Sequence, residues 1–147
     1  MNDIAILLDK LKNNGLKNTK HRIEILKMLD KTDIPVSADK IYAKLKKTDI
    51  LISLSTVYRT LETLIEKELV MKVQFESETK ALYEMNKETH HHFFVCVGCN
   101  KIFPLKECPI HEHDFEVEDS EDFEVIGHKL ELYGYCKECQ KKRVHLT

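Results

Sequence analysis

Two Cys-x-x-Cys pairs constrain this chain more than any other feature. They are Cys96-Val97-Gly98-Cys99 and Cys136-Lys137-Glu138-Cys139, with 36 residues between Cys99 and Cys136. Two intervening residues let a tight turn aim both sulfurs at one ion, and four thiolates close the tetrahedral shell of zinc. A closed shell leaves no position for a substrate, so the expected site is structural, with one zinc per chain. It would link strand ends far apart in sequence, which makes metal binding a source of folding energy. The rival reading, two redox pairs or buried free thiols, is outweighed by the matched spacing of the pairs. Gly98 suits the backbone turn inside such a knuckle. Cys108 is left over, and on its own reads as a small apolar side chain rather than a ligand.

The chain has 147 residues, enough for one ordinary domain or two small ones. Two small domains bury little each, so a metal or a dimer interface is expected to help hold them. No apolar run is long enough to span a membrane, and the start, MNDIAILLDKLKNNG, is too charged for a signal peptide. A cytoplasmic location follows as the expectation, with no membrane partner and with cysteines acting as thiols or metal ligands rather than disulfides. The formal net charge of -2 hides an asymmetry. Residues 1–84 carry 15 basic and 13 acidic side chains, whereas residues 85–147 carry 8 and 12. Within residues 10–47 there are 11 Lys or Arg against Glu24, Asp30, Asp33 and Asp39. A basic front half can follow a phosphate backbone. Charge alone does not separate that from a solvated lysine-rich surface.

The front half reads as short helices. Ile4, Leu7, Leu8 and Leu11 recur at helical spacing, and Gly15 offers a stop. Thr19 can cap a second helix with Ile23, Leu26 and Met28 or Leu29 on its apolar face. Pro35 ends that connection, and Ser37 can cap a third helix bearing Ile41 and Leu45. Ser55 can cap a fourth, where Val57, Leu61 and Leu64 face inward and Tyr58, Arg59 and Glu62 face the other way. A hairpin signal follows, with strands expected over 69–75 and 81–84 around a polar turn. Helices followed by a two-stranded hairpin is the order of a winged helix-turn-helix domain, whose last helix enters the major groove. The predicted fold class is α+β. A winged-helix domain over 1–84 and a hinge over 85–89 precede an α/β dimerisation domain over 90–147 whose strands are linked by zinc. In that last part, strands are expected over 90–96 and 125–135, separated by an acidic segment, 112–122, of undecided structure.

Three histidines, His90-His91-His92, precede the first cysteine pair. On a strand His90 and His92 share a face and His91 points to the other, which allows a metal site on each side. His128 lies on the expected partner strand, and His111 and His113 lie between. Neutral imidazoles suit zinc, iron, nickel or copper. The alternative is a solvated polar strand end.

Four segments in order resemble the ferric uptake regulator (Fur) superfamily: GLKNTKHRIEIL (Gly15–Leu26), STVYRTLETL (Ser55–Leu64), HHHFFVCVGC (His90–Cys99) and GHKLELYGYCKEC (Gly127–Cys139). The resemblance covers nearly the whole chain. It implies a homodimeric winged-helix repressor that binds AT-rich palindromic double-stranded DNA when loaded with metal. By matched motif, Lys17 would reach into the minor groove, and Tyr58 and Arg59 would face the major groove. Arginine can bridge the O6 and N7 acceptors of guanine, and an aromatic ring can pack on a thymine methyl. Thr19, Arg22, Ser55 and Thr56 are the expected phosphate contacts, which set register.

The resemblance also implies a sensing site at His90, His92, His111 and His128. His111 stands where a carboxylate is more usual, which makes the site richer in nitrogen and more favourable to zinc. A second family site, at the hinge, is degenerate here. Glu84 and His91 match its ligands, but Phe93, Pro104 and Pro35 replace others. Cys108, His113 or Asn86 are the residues from which it would have to be rebuilt.

The CPI segment (108–110) and the GHKLELYGYC run look most like the zinc uptake regulator (Zur) branch. The expected function is thus a zinc-sensing repressor of metal-uptake genes, with metal ions as its only small ligands. Iron comes second as the sensed metal, followed by manganese, nickel and a peroxide-responsive role. A zinc enzyme is not expected: the thiolate site is closed, and the histidines form no H-E-x-x-H or H-x-E pattern. The rival from another class is a structural zinc-binding interaction module without metal sensing.

Overall fold

The computed structural model describes residues 3–76, 78–87, 90–110, 117–118 and 123–144. The chain divides into two compact units, Met1–Lys87 and Glu88–Thr147. The break falls inside the segment expected to be a hinge.

The first unit begins with α1 (Asp3–Asn13) and α2 (Lys20–Asp30). At the end of α1, Gly15 has φ +71°, and Leu16 N and Gly15 N donate to the carbonyls of Leu11 and Lys12. That paired closure requires a left-handed residue, and glycine adopts it without a Cβ penalty. Thr19 caps α2, its hydroxyl accepting from Arg22 N at 3.3 Å. The strand β1 (Val36–Ser37) leads into α3 (Ala38–Lys46), which Ser37 caps by accepting from Lys40 N. The cap of α4 (Leu54–Glu66) is Ser53, which accepts from Thr56 N at 3.1 Å; Ser55, the expected cap, lies in the first turn. Leu54 packs on the core, and this sets the helix start two residues earlier.

Strands β2 (Val70–Val73) and β3 (Leu82–Met85) form the expected hairpin, and β1 adds to it to give the order β1-β3-β2, all antiparallel. One apolar cluster holds this unit: Leu7, Leu11, Ile25, Leu26, Leu29, Ile41, Leu45, Val57, Leu61, Leu64 and residues of the hairpin. Burying each such side chain is worth about 1.5–3 kcal/mol. Ile25, rather than the expected Ile23, is fully buried in α2, and Ile4 of α1 is exposed. Both differences move an apolar face by a fraction of a turn.

The second unit is built on β4 (Phe93–Cys96), β5 (Ile102–Pro104) and β6 (Glu131–Gly134), in the order β5-β4-β6. The β4–β6 pair is parallel, with Phe93 opposite Glu131 and Cys96 opposite Gly134. Helix α5 (Lys137–Val144) follows β6. Neither β5 nor α5 was expected from the sequence. Both long strands are shorter than expected, because His90–His92 and His128 precede the ladders instead of joining them. Alternate residues on a strand are about 7 Å apart, yet the rings of His90 and His92 have centroids 5.0 Å apart. Convergence of the rings therefore replaces ladder geometry there. Of the acidic segment, only Val117 and Glu118 are among the described residues.

Candidate metal centres and nucleic-acid interface

The four paired cysteines meet. Cys96 ends β4, Cys99 sits in the turn after it, Cys136 follows β6, and Cys139 lies in the first turn of α5. All four sulfurs lie within 4.8 Å of one another, with Cys99 Sγ 3.8 Å from Cys136 Sγ. Four zinc–sulfur bonds of about 2.3 Å imply tetrahedral edges of about 3.8 Å, so the sulfur set fits that ion. The turn is shaped by two residues. Asn100 takes the left-handed position, at φ 60°. Gly98 is needed for space instead, since a Cβ there would meet Cys139 Sγ at 2.9 Å.

Two of the thiols are driven in opposite directions. Backbone N–H groups aimed at Cys96, first that of Cys136 at 3.3 Å, bring its thiol down to about 6 against the cost of burial. Burial, with hydrogen bonds to the other sulfurs, pushes Cys139 up to about 12. One thiolate is thus easily formed and a second resisted. A divalent ion held by the four sulfurs would offset part of that charge and so favour their deprotonation.

The second cluster joins His90, His92, His128 and Cys108, whose ligand atoms also lie within 4.8 Å of one another. His92 is buried. Its Nε2 is 3.0 Å from His128 Nε2, and Cys108 Sγ is 3.2 Å from each of these nitrogens. The His90 ring stands edge-on to both imidazoles, with centroids 5.0 and 4.8 Å away. Burial, then the charges of His128 and His90, hold the His92 imidazole below its ordinary value. This favours the neutral form, the one that ligates a metal. A proton can bridge one pair of these atoms, whereas a metal ion satisfies all of them. Zinc bonds of about 2.0–2.3 Å to nitrogen and sulfur imply edges of about 3.3–3.6 Å, a few tenths of an ångström wider than the observed set.

His111, the expected fourth ligand, lies outside the described residues, as does His113. Cys108, expected on its own to be a small apolar side chain, is only partly buried and faces the imidazoles. The signal that could have found it is chemical: a thiol preceding Pro109 and Ile110, in the connection between two ligand-bearing strands. The hinge residues are not brought into one described cluster. Glu84 lies on β3 of the first unit, where burial raises its carboxyl, and His91 is an exposed residue of the second. Asn86, another hinge candidate, is engaged within the first unit, donating from Nδ2 to the Glu68 carbonyl.

On the first unit, Tyr58, Arg59 and Glu62 are exposed on α4, opposite Val57, Leu61 and Leu64. Arg59 Nη2 donates to Thr56 Oγ1 at 3.4 Å, and Thr56 Oγ1 shares a 2.9 Å hydrogen bond with Ser53 Oγ. Ser55 is exposed. Thr19 and Arg22 already have structural duties: the Thr19 cap, and a 3.0 Å bond from Arg22 Nη1 to the carbonyl of exposed Lys17. No helix among the described residues is long and apolar enough to cross a membrane.

Comparison with known proteins agrees in fold and family. The model of the "Ferric uptake regulator family" matches residues 13–133. The "Ferric uptake regulation protein" of Bordetella parapertussis is 34% identical over 135 residues, covering 91% of this chain and 96% of that protein. The solved structure of the Helicobacter pylori ferric uptake regulator superposes with a TM-score of 0.77 at 28% identity, covering 93% of each chain. That of Vibrio cholerae gives 0.73 at 31% identity, covering 88% of this chain and 98% of that one. Members of this family are dimeric DNA-binding transcription regulators with metal ions as effectors, not enzymes. The chain belongs to the ferric uptake regulator family, as a metal-responsive regulator with an N-terminal DNA-binding domain and a C-terminal dimerisation domain.

Proposed function

We propose that this protein is a homodimeric, zinc-sensing repressor that binds palindromic AT-rich operators of metal-uptake genes. One zinc held by Cys96, Cys99, Cys136 and Cys139 is structural. A second, exchangeable zinc at the histidine cluster is the signal. The observation that carries the reading is the convergence of His90, His92 and His128 at one point of the second unit, with no carboxylate in the set among the described residues. Nitrogen-rich sites without oxygen donors suit zinc better than manganese or ferrous iron. Dimerisation through the second unit is supported by its exposed apolar side chains, which include Phe103, Phe123, Ile126 and Leu132. A monomer leaves them in water, and a partner copy would cover such a face. Arg59 and Tyr58 read bases from the exposed side of α4, while Lys17, Ser55 and Thr56 contact the backbone. Thr19 and Arg22 act by holding the start of α2 in place.

The metal-loaded form binds DNA more tightly, and linkage then requires DNA to tighten metal binding by the same factor. A hundredfold effect corresponds to about 2.7 kcal/mol, within the usual range of allosteric coupling. Iron is the second reading, because the similar regulators of known name, such as that of Bordetella parapertussis, are called ferric uptake regulation proteins.

The test is binding of the dimer to palindromic AT-rich DNA in zinc buffers after removal of labile metal, with ferrous iron and manganese in parallel. Zinc alone is expected to restore binding, and His90→Ala or His128→Ala to remove the response while the dimer stays folded. Equal restoration by iron would transfer the assignment to the second reading. Indifference to every metal would leave a structural zinc module.

A further inference from the structure

The connection between β5 and β6 carries Cys108 back to the histidine cluster. Its Sγ stands 3.2 Å from Nε2 of both His92 and His128, at the point where the three imidazoles converge. Cys108 Sγ also lies 3.4 Å from the Ile110 carbonyl, a contact through which a protonated thiol would donate. None of the other four cysteines belongs to this cluster; they form the separate all-sulfur set. A thiol placed only to fill space would have no reason to make its two nearest polar approaches to imidazole nitrogens of a shared site. A half-buried thiol against ring nitrogens is instead the arrangement that deprotonates as a cation enters.

We infer that Cys108 is the fourth protein ligand of the sensing site, in place of His111, and that its sulfur is what makes the site select zinc. The inference rests on the reading of the histidine cluster as the metal-sensing centre. With three nitrogens and one thiolate, the shell is complete at four. That number suits zinc, whereas manganese prefers six oxygen-rich positions. Ferrous iron held with nitrogen and carboxylate keeps open positions for oxygen chemistry; a closed shell with sulfur does not offer them. A single soft donor thus separates a zinc sensor from an iron or peroxide sensor built on the same strands.

The experiment uses the full-length dimer with its four-cysteine zinc retained and the histidine site emptied by mild chelation. Cobalt(II) is added as a spectroscopic stand-in for zinc. The unmutated protein should take up one further equivalent per chain, with the visible bands of a four-coordinate ion and an ultraviolet sulfur-to-cobalt charge-transfer band. Cys108→Ser should lose the charge-transfer band and bind zinc weaker by more than the roughly 100-fold that a change outside the ligand shell costs. His111→Ala should keep both. Cys108→Asp should narrow the preference for zinc over manganese by at least tenfold. In the unmutated chain, the second equivalent should also protect the Cys108 peptide from alkylation, a readout that needs no variant to fold. Retention of the four-cysteine zinc reports that each variant is intact. Cobalt uptake without a sulfur band, or with Cys108 still alkylated, would remove Cys108 from the shell and leave the sensing site standing. Loss of binding in His111→Ala but not in Cys108→Ser would restore His111. Failure to bind any second equivalent would overturn the sensing site itself, and this inference with it.

Discussion

The two units are held together by different physics. Residues 3–87 share one apolar cluster drawn from four helices and a hairpin, with Leu11, Ile25, Leu26, Leu45, Val57, Leu61 and Leu64 fully out of water. In the second unit, the buried apolar side chains among the described residues are Phe93, Val95, Cys96 and Cys139, two of which are thiols of the four-cysteine cluster. Its apolar side chains are otherwise largely exposed, Ile126 at 94% and Phe123 at 61%. A unit with so little interior cannot offset the entropy of ordering its chain by burial alone. The contrast predicts a division of labour: the DNA-binding unit should be stable without metal, and the second unit should depend on metal for its own shape.

The strongest way to break that contrast is to remove the structural ion. Structural zinc supplies apparent binding energies of about 10–16 kcal/mol in small zinc domains. Cys139→Ala, or exhaustive chelation, is expected to abolish fixed tertiary structure in residues 90–144 while the helices of the first unit persist. Near-ultraviolet dichroism and amide exchange would follow the two parts separately. Retained exchange protection in β4 and β6 without zinc would refute the division.

A smaller effect sharpens it from the other side. Leu61→Ala removes a fully buried side chain from the first unit, and should lower the stability of that unit by about 2–5 kcal/mol. Zinc affinity of the four-cysteine site should stay unchanged. A loss of zinc affinity in urea and metal titrations would mean that the two units fold as one.

The smallest expected effect is a gain. Glu68 closes α4 with φ 58°, while Leu69 N and Glu68 N donate to the carbonyls of Leu64 and Ile65. This is the same closure that Gly15 makes after α1, performed by a residue with a Cβ. Glu68→Gly should stabilise the first unit by about 0.5–1 kcal/mol, within the range known for relieving left-handed residues. Thermal denaturation would show it as a rise of a few degrees, with no change in metal response.

Much of the first unit could be read from the sequence because helical periodicity and capping are local. Val57, Leu61 and Leu64 fix the inward face of α4, and so leave Tyr58 and Arg59 outside. The error at Ser53 and Ser55 arose because both serines are competent caps, and the choice depends on Leu54 reaching the core. Ile25 is fully buried beside Leu26 and Leu29, whereas Ile23 packs only at the margin of that face. The four-cysteine set was legible from spacing alone. The approach of Cys108 to the histidines was not, because it belongs to no cysteine pair; only the return of the connection toward β6 brings it to His92 and His128. β5 and α5 were missed as short elements with weak periodicity. Their place is set by β4 and by the cysteine cluster rather than by their own residues.

The parallel pairing of β4 with β6 has a further consequence. Parallel neighbours need a long crossover, here residues 97–130, and closing a loop of that length opposes folding. The ligands sit at both ends of this strand pair, with His92 and His128 before it and the two cysteine pairs at or after its end. An ion held by the four cysteines would close the crossover at one end of a ladder only four residues long. An ion at the histidine cluster would then meet strands whose register is already set, and its affinity need not include the work of bringing them together. A permanently bound metal can in this way set the working concentration range of an exchangeable one a few residues away, without the two ever sharing a ligand.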